Sequence, residues 1–183
     1  MTEPKPRQTA KRSIALIGLR GSGKTSVGRE LATLLGEDHV DTDDIIAERA
    51  GQPIAGIFEA EGEEGFRKRE REAIAQVVQN PPEVISVGGG AVVDEQNARL
   101  LKSAATIVWL TAPVEVLWRR IADDPDAASS RPALTDRPGL EELEHLSAAR
   151  APLYKRIADF TINTNDRAPR DLAAEIAGFL KRK

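Results

Sequence analysis

Residues 13–35 read SIALIGLRGSGKTSVGRELATLL. Ser13 to Ile17 form a short, mostly apolar run of the kind that makes a buried strand, and from Lys24 onward Val27, Leu31, Leu34 and Leu35 recur at helical spacing. Between them Gly18 to Thr25, GLRGSGKT, fits the pattern of glycine, four residues, glycine, lysine and a hydroxyl residue. Strand, glycine turn and helix in this order aim backbone N–H groups and the positive helix end at one anion, which the glycines let the main chain approach closely. In such a loop Lys24 reaches the β and γ phosphates of a nucleoside triphosphate, and the Thr25 hydroxyl meets the accompanying Mg2+. The motif points to nucleoside triphosphate use without separating a kinase from a GTPase or an ATP-driven motor.

The alternation continues outward from this unit. A second short strand near Val40 ends in Asp41, and helical stretches follow from Asp44 to Ala50 and from about Glu63 to Gln79, the latter with Phe66, Ala73, Ile74, Val77 and Val78 on one stripe. Pro81 and Pro82 stop it. The run EVISV, Glu83 to Val87, breaks into Gly88, Gly89 and Gly90; a short helix leads to the strand TIVWL, Thr106 to Leu110. Helices from Pro113 to Ile121, Leu140 to about Arg156 and Leu172 to Leu180 surround a last strand near Phe160 to Ile162. Apolar strands alternating with helices predict an α/β domain, a doubly wound parallel five-stranded sheet flanked by helices. Asp123 to Gly139, DDPDAASSRPALTDRPG, resists assignment; it is long for a plain connection and reads as a mobile lid or as a tolerated surface insertion.

Composition narrows the class. The chain has 183 residues, fitting one domain, which is expected to span residues 13–183 behind a disordered leader at 1–12. Hydrophobic residues at 40% and charged residues at 30% describe a soluble globule. A net charge of -3 gives no general attraction to polyanions, so nucleic acid is not an expected partner. No apolar run approaches the roughly 18 to 20 residues that cross a bilayer, and no membrane association is expected. Cysteine is absent, which excludes disulfides and thiolate chemistry and suits a cytoplasmic location; His39 and His145 are too far apart to suggest a metal cluster.

Four further features carry chemistry. DTDD, Asp41 to Asp44, ends the second strand, where open α/β sheets collect ligands; one carboxylate could hold a metal through water and another take a proton from a substrate hydroxyl. Asp44 reads better as the cap of the following helix, leaving Asp41 and Asp43 for chemistry. In FRKRE, Arg67 and Glu70 stand three apart on a helix and can pair, fixing a guanidinium able to grip a carboxylate; the alternative is a solvated charged face. Gly88 to Gly90 either expose backbone N–H groups to a ligand or make a sharp turn. Arg150 shares a stripe with Leu140, Leu143 and Leu146, facing inward or snorkelling, and Arg131 stands in the long loop.

Taken in order, these residues resemble the shikimate kinase family over nearly all of the chain from Ser13 on. GLRGSGKTSVGRELA, DTDDII with IFEAEGEEGFRKRE, SVGGGAV, RPAL and RAPLYKRIAD each look like a signature of that family. The resemblance implies a nucleoside-monophosphate-kinase-like fold with a lid at about 123–139, acting as a cytoplasmic monomer. It implies phosphoryl transfer from ATP to the 3-hydroxyl of shikimate in aromatic amino acid biosynthesis, with Mg2+ as cofactor. By the same resemblance, Gly21, Ser22, Gly23, Lys24, Thr25, Ser26, Arg120, Arg131 and Arg167 bind ATP. Thr25 and Asp41 hold Mg2+, with Ser86 supporting its water shell. Asp43 is the base and contacts the acceptor, Arg67 (oriented by Glu70) and Arg150 take its carboxylate, and Gly88, Gly89 and Gly90 supply backbone contacts to its ring. Arg131 meets the transferring phosphate, so Asp43, Lys24 and Arg131 form the catalytic set. Arg20 varies the phosphate loop by one further charge.

Two other readings fit parts of the pattern. A gluconate or nucleoside monophosphate kinase shares loop and lid but has less need of Arg67, Asp43, the glycines and Arg150 together. A kinase-like sensor of aromatic ligands is expected to carry a helix-turn-helix domain in front and to lack the acceptor residues.

Overall fold

The computed structural model describes residues 12–79, 83–124 and 139–182. β1 (Ser13–Ile17) is buried along its whole length because both of its faces are covered. It lies at the centre of a parallel sheet with β2 (His39–Asp41), β3 (Val84–Ser86), β4 (Ala105–Thr111) and β5 (Phe160–Asn163), in the order β2-β3-β1-β4-β5. The expected five-stranded parallel sheet is present.

Period-two alternation divides the strands between two cores. Ala15, Ile17, Ile85 and Ile107 face one side, where they meet α3 (Ile54–Val77), α4 (Glu95–Ala104), α5 (Val114–Ala122) and α6 (Gly139–Ile157). Ile14, Leu16, Val84 and Val108 face the other, against α1 (Lys24–Leu35) and α7 (Pro169–Leu180). A smaller cluster around Phe66 joins α2 (Thr42–Ala50) to α3, with Phe58 stacked on Phe66 at 4.6 Å between ring centroids.

Three helix starts differ from expectation. α2 begins at Thr42 because Asp41, not Asp44, is its cap: an Asp41 carboxylate oxygen accepts the Asp43 N–H at 3.0 Å. α3 begins at Ile54, nine residues before Glu63, since Ile54 and Ile57 already pack into the Phe66 cluster. Its two parts are divided at Gly62, whose φ of 68° and ψ of -173° no helix contains. α7 starts at Pro169, a residue pre-set for the first helical turn.

The sheet register brings the functional segments to one edge. Ser86 pairs with Leu16 on one side and Asp41 on the other, so the ends of β1, β2 and β3 lie level. Gly18, just past β1, has a φ of 145°, and a Cβ there would lie 2.3 Å from the Leu110 carbonyl oxygen. Only glycine fits there.

Candidate active site

A cleft of about 650 Å3 opens above the carboxyl ends of β1, β2 and β3, the usual ligand position in such sheets. Its floor is the phosphate loop. Lys24 stands at the first position of α1 and donates from Nζ to the carbonyls of Gly18 and Leu19, both at 3.0 Å, so the ammonium spans its own loop. Gly21, Gly23, Thr25 and Ser26 line the cleft beside it, whereas Ser22 is buried beneath.

Asp41 joins this loop to the second strand. One of its carboxylate oxygens accepts the Thr25 hydroxyl at 2.9 Å while the other caps α2 through the Asp43 N–H. A hydroxyl and a carboxylate brought together offer the hard oxygen donors that Mg2+ prefers, and Mg2+ needs few protein ligands because it keeps water and phosphate oxygens. Among the described residues no cluster of three or more histidine, cysteine or acidic side chains suits a metal held by protein alone. Behind Asp41, His39 Nε2 and the Ser86 hydroxyl lie 2.9 Å apart. Burial pushes the His39 ring below its ordinary pKa, against the pull of Asp41 and with the help of Arg29.

The other side of the cleft is built from α2, α3, α6 and the glycine turn. Asp43 and Arg150 line the cleft, and so does Gly89. Thr42 is buried, and its hydroxyl accepts the Gly88 N–H at 3.1 Å, tying the turn to the DTDD segment. A Cβ on Gly89 would lie 3.2 Å from the Gly18 carbonyl oxygen, so the turn packs on the phosphate loop. A Cβ on Gly90 would meet the Arg67 guanidinium at 2.8 Å, which places Arg67 directly against the turn.

Arg67 Nη1 donates to Glu70 at 2.9 Å, and its Nη2 and Nε donate to Glu63 at 3.0 and 3.3 Å. Burial disfavours the Arg67 charge, but Glu70 and Glu63 outweigh it and raise the guanidinium above its ordinary pKa. Arg150 is only 8% exposed and stays inside rather than reaching out to water.

Tyr154, which the sequence reading did not single out, stands against two of these groups. Its hydroxyl donates to the Gly89 carbonyl at 2.5 Å and also bonds Arg150, while burial raises its pKa. It sits one helical turn after Arg150, on the same face of α6. Tyr154→Phe is expected to raise the acceptor KM about tenfold and lower stability by about 1–3 kcal/mol, because two polar partners lose their contact. Steady-state kinetics with thermal unfolding would measure both; an unchanged KM would leave Tyr154 a core residue.

Of the adjacent arginines on α5, Arg119 is exposed while Arg120 turns inward. Arg120 donates to the Gly21 carbonyl at 3.2 Å, the Thr164 hydroxyl at 3.0 Å and the Thr164 carbonyl at 2.7 Å. Arg167 pairs with Glu175 at 2.6 Å and does not line the cleft; neither do Arg67, Gly88 and Gly90, which stand behind Gly89 or beside it. Arg131 and most of the 123–139 stretch lie outside the described residues. Among the described residues no helix is long and apolar enough to cross a membrane.

A family model described as shikimate kinase matches residues 20–181. The chain belongs to the shikimate kinase family. A shikimate kinase of Symbiobacterium thermophilum is 42% identical over 171 residues, 93% of this chain and 97% of that relative. A shikimate kinase from Acinetobacter baumannii, solved in complex with shikimate, superposes with a TM-score of 0.88 at 38% identity, covering 93% of each chain. A gluconokinase from Sinorhizobium meliloti, at 16% identity and a TM-score of 0.62 over 94% of this chain and 93% of its own, shares the fold alone. Shikimate kinase family membership therefore rests on sequence and fold together, and the phosphate loop lies almost wholly within the matched span.

Proposed function

We propose that this protein transfers the γ-phosphoryl group of ATP to the 3-hydroxyl of shikimate, using Mg2+, and that it works as a cytoplasmic monomer. The observation that carries this reading is the convergence of the phosphate loop, Asp43, Arg150 and Gly89 of the glycine turn on one cleft.

Backbone N–H groups of Gly21 to Ser26 and the start of α1 bind the phosphates, and Lys24 moves from its loop carbonyls to the β and γ phosphate oxygens. Thr25 and Asp41 would hold Mg2+, with Ser86 placed by His39 near its water shell. When bound, the ion offsets charge on the transferring phosphoryl group. Arg120 closes the nucleotide side through Gly21. Arg150 and Arg67 take the acceptor carboxylate, Glu70 holding Arg67 in place, and the glycine turn supports the ring. Asp43 accepts the proton of the attacking hydroxyl. On sequence grounds we assign Arg131 to the transferring phosphate, a lid to about 123–139 and a single domain to the chain from residue 13.

The test is ADP release with Mg-ATP and shikimate, quinate, gluconate or no acceptor, with the product identified by mass. Shikimate-dependent ADP and shikimate 3-phosphate are expected. Turnover with another acceptor only would overturn the substrate, and tight ligand binding without turnover would favour a sensor. Arg67→Lys is expected to raise the shikimate KM about tenfold with a smaller change in kcat, since a point charge loses the bidentate geometry. An unchanged KM would remove Arg67 from carboxylate binding.

A further inference from the structure

Arg67 carries one positive charge and two acidic partners, and only one of them is needed to hold it. Glu70, its side chain 1% exposed, is fixed inside on Nη1. Glu63, its side chain 65% exposed, lays a single oxygen across the Nη2 and Nε donors at 3.0 and 3.3 Å. That edge is a two-pronged fork of the kind that receives a carboxylate. Glu63 reaches it because α3 breaks at Gly62 and resumes at once, setting Glu63 one helical turn before Arg67.

We propose that Glu63 is a resident competitor for the acceptor carboxylate, occupying the Nε and Nη2 edge of Arg67 in the empty protein and yielding it when an anionic acceptor arrives. The inference rests on the reading of Arg67 as a carboxylate-binding group. With Glu70 already balancing Arg67, Glu63 leaves an excess negative charge that an incoming anion must overcome. An exposed ion pair is weak and its glutamate can swing into water, whereas buried Glu70 cannot leave. Glu63 thereby sets a threshold that an anionic acceptor crosses by replacing it; a neutral acceptor has no charge with which to take its place. Glu63 is a specificity-determining residue that need not touch the reacting atoms.

The experiment compares the parent with Glu63→Gln and Glu63→Ala, measuring KM for shikimate and for its methyl ester at saturating Mg-ATP, with calorimetric Kd for shikimate. Both variants are expected to lower the shikimate KM and Kd roughly two- to fivefold, the range of an exposed ion pair, and to leave the ester KM unchanged. A shikimate KM that stays the same or rises, or an equal fall for the ester, would overturn the proposal. Arg67→Lys in the same series separates the two layers. A raised shikimate KM in that variant keeps the carboxylate reading even if Glu63 fails, while an unchanged one removes the reading itself.

Discussion

Lys24→Met is expected to cut turnover about a thousandfold or more while the protein stays folded. Methionine keeps the unbranched stem and the helix propensity of lysine at the first position of α1, so the change is almost purely one of charge and donors. Those donors rest on the Gly18 and Leu19 carbonyls, groups that belong to the same loop as the phosphate site. The ammonium therefore has a short path to an arriving triphosphate and little to reorganise when charge builds up in the transition state. Circular dichroism should show an unchanged fold, and a coupled ADP assay should show activity at background. A methionine variant retaining more than about a tenth of the parent kcat would place the transition-state charge elsewhere.

Asp43→Asn is expected to lower kcat about 10²- to 10⁴-fold with the KM for ATP nearly unchanged. Asparagine has the shape of aspartate, and the backbone N–H that Asp41 uses to cap α2 is untouched. What disappears is the ability to accept a proton from the attacking hydroxyl. A near-normal kcat in the asparagine protein would end the base assignment and leave Asp43 as a hydrogen-bonding group for the acceptor. Measuring both KM values together with kcat separates these outcomes.

The centre of the sheet was legible from sequence because β1, β3 and β4 are short and apolar and the first two run into glycine, so Ser13 to Ile17 and the loop after it leave little choice. The first half of α3 was not, since Glu59 to Gly65 interrupts the apolar stripe between Ile57 and Phe66 and the break at Gly62 erases the period. The α2 cap was assigned to the wrong aspartate: DTDD offers three candidates, and which one caps depends on where β2 ends, a property of sheet register. The stripe left Arg150 open between facing inward and snorkelling, and it did not single out Tyr154, because periodicity reports burial and is blind to where a phenol ends. Of the neighbours Arg119 and Arg120 the resemblance pointed to Arg120, and the helix phase sets that one toward Gly21 and Thr164.

The two tryptophans stand in opposite surroundings. Trp118 is 38% exposed, lines the cleft and lies close over Gly139, where a Cβ would come within 2.7 Å of its ring. Trp109 packs on the main core, its ring centroid 5.7 Å from that of Tyr154. The chain thus carries its own optical gauge: indole emission from Trp118 is expected to change with what fills the cleft. A titration with nucleotide in unlabelled protein, including variants that never turn over, is expected to show that change.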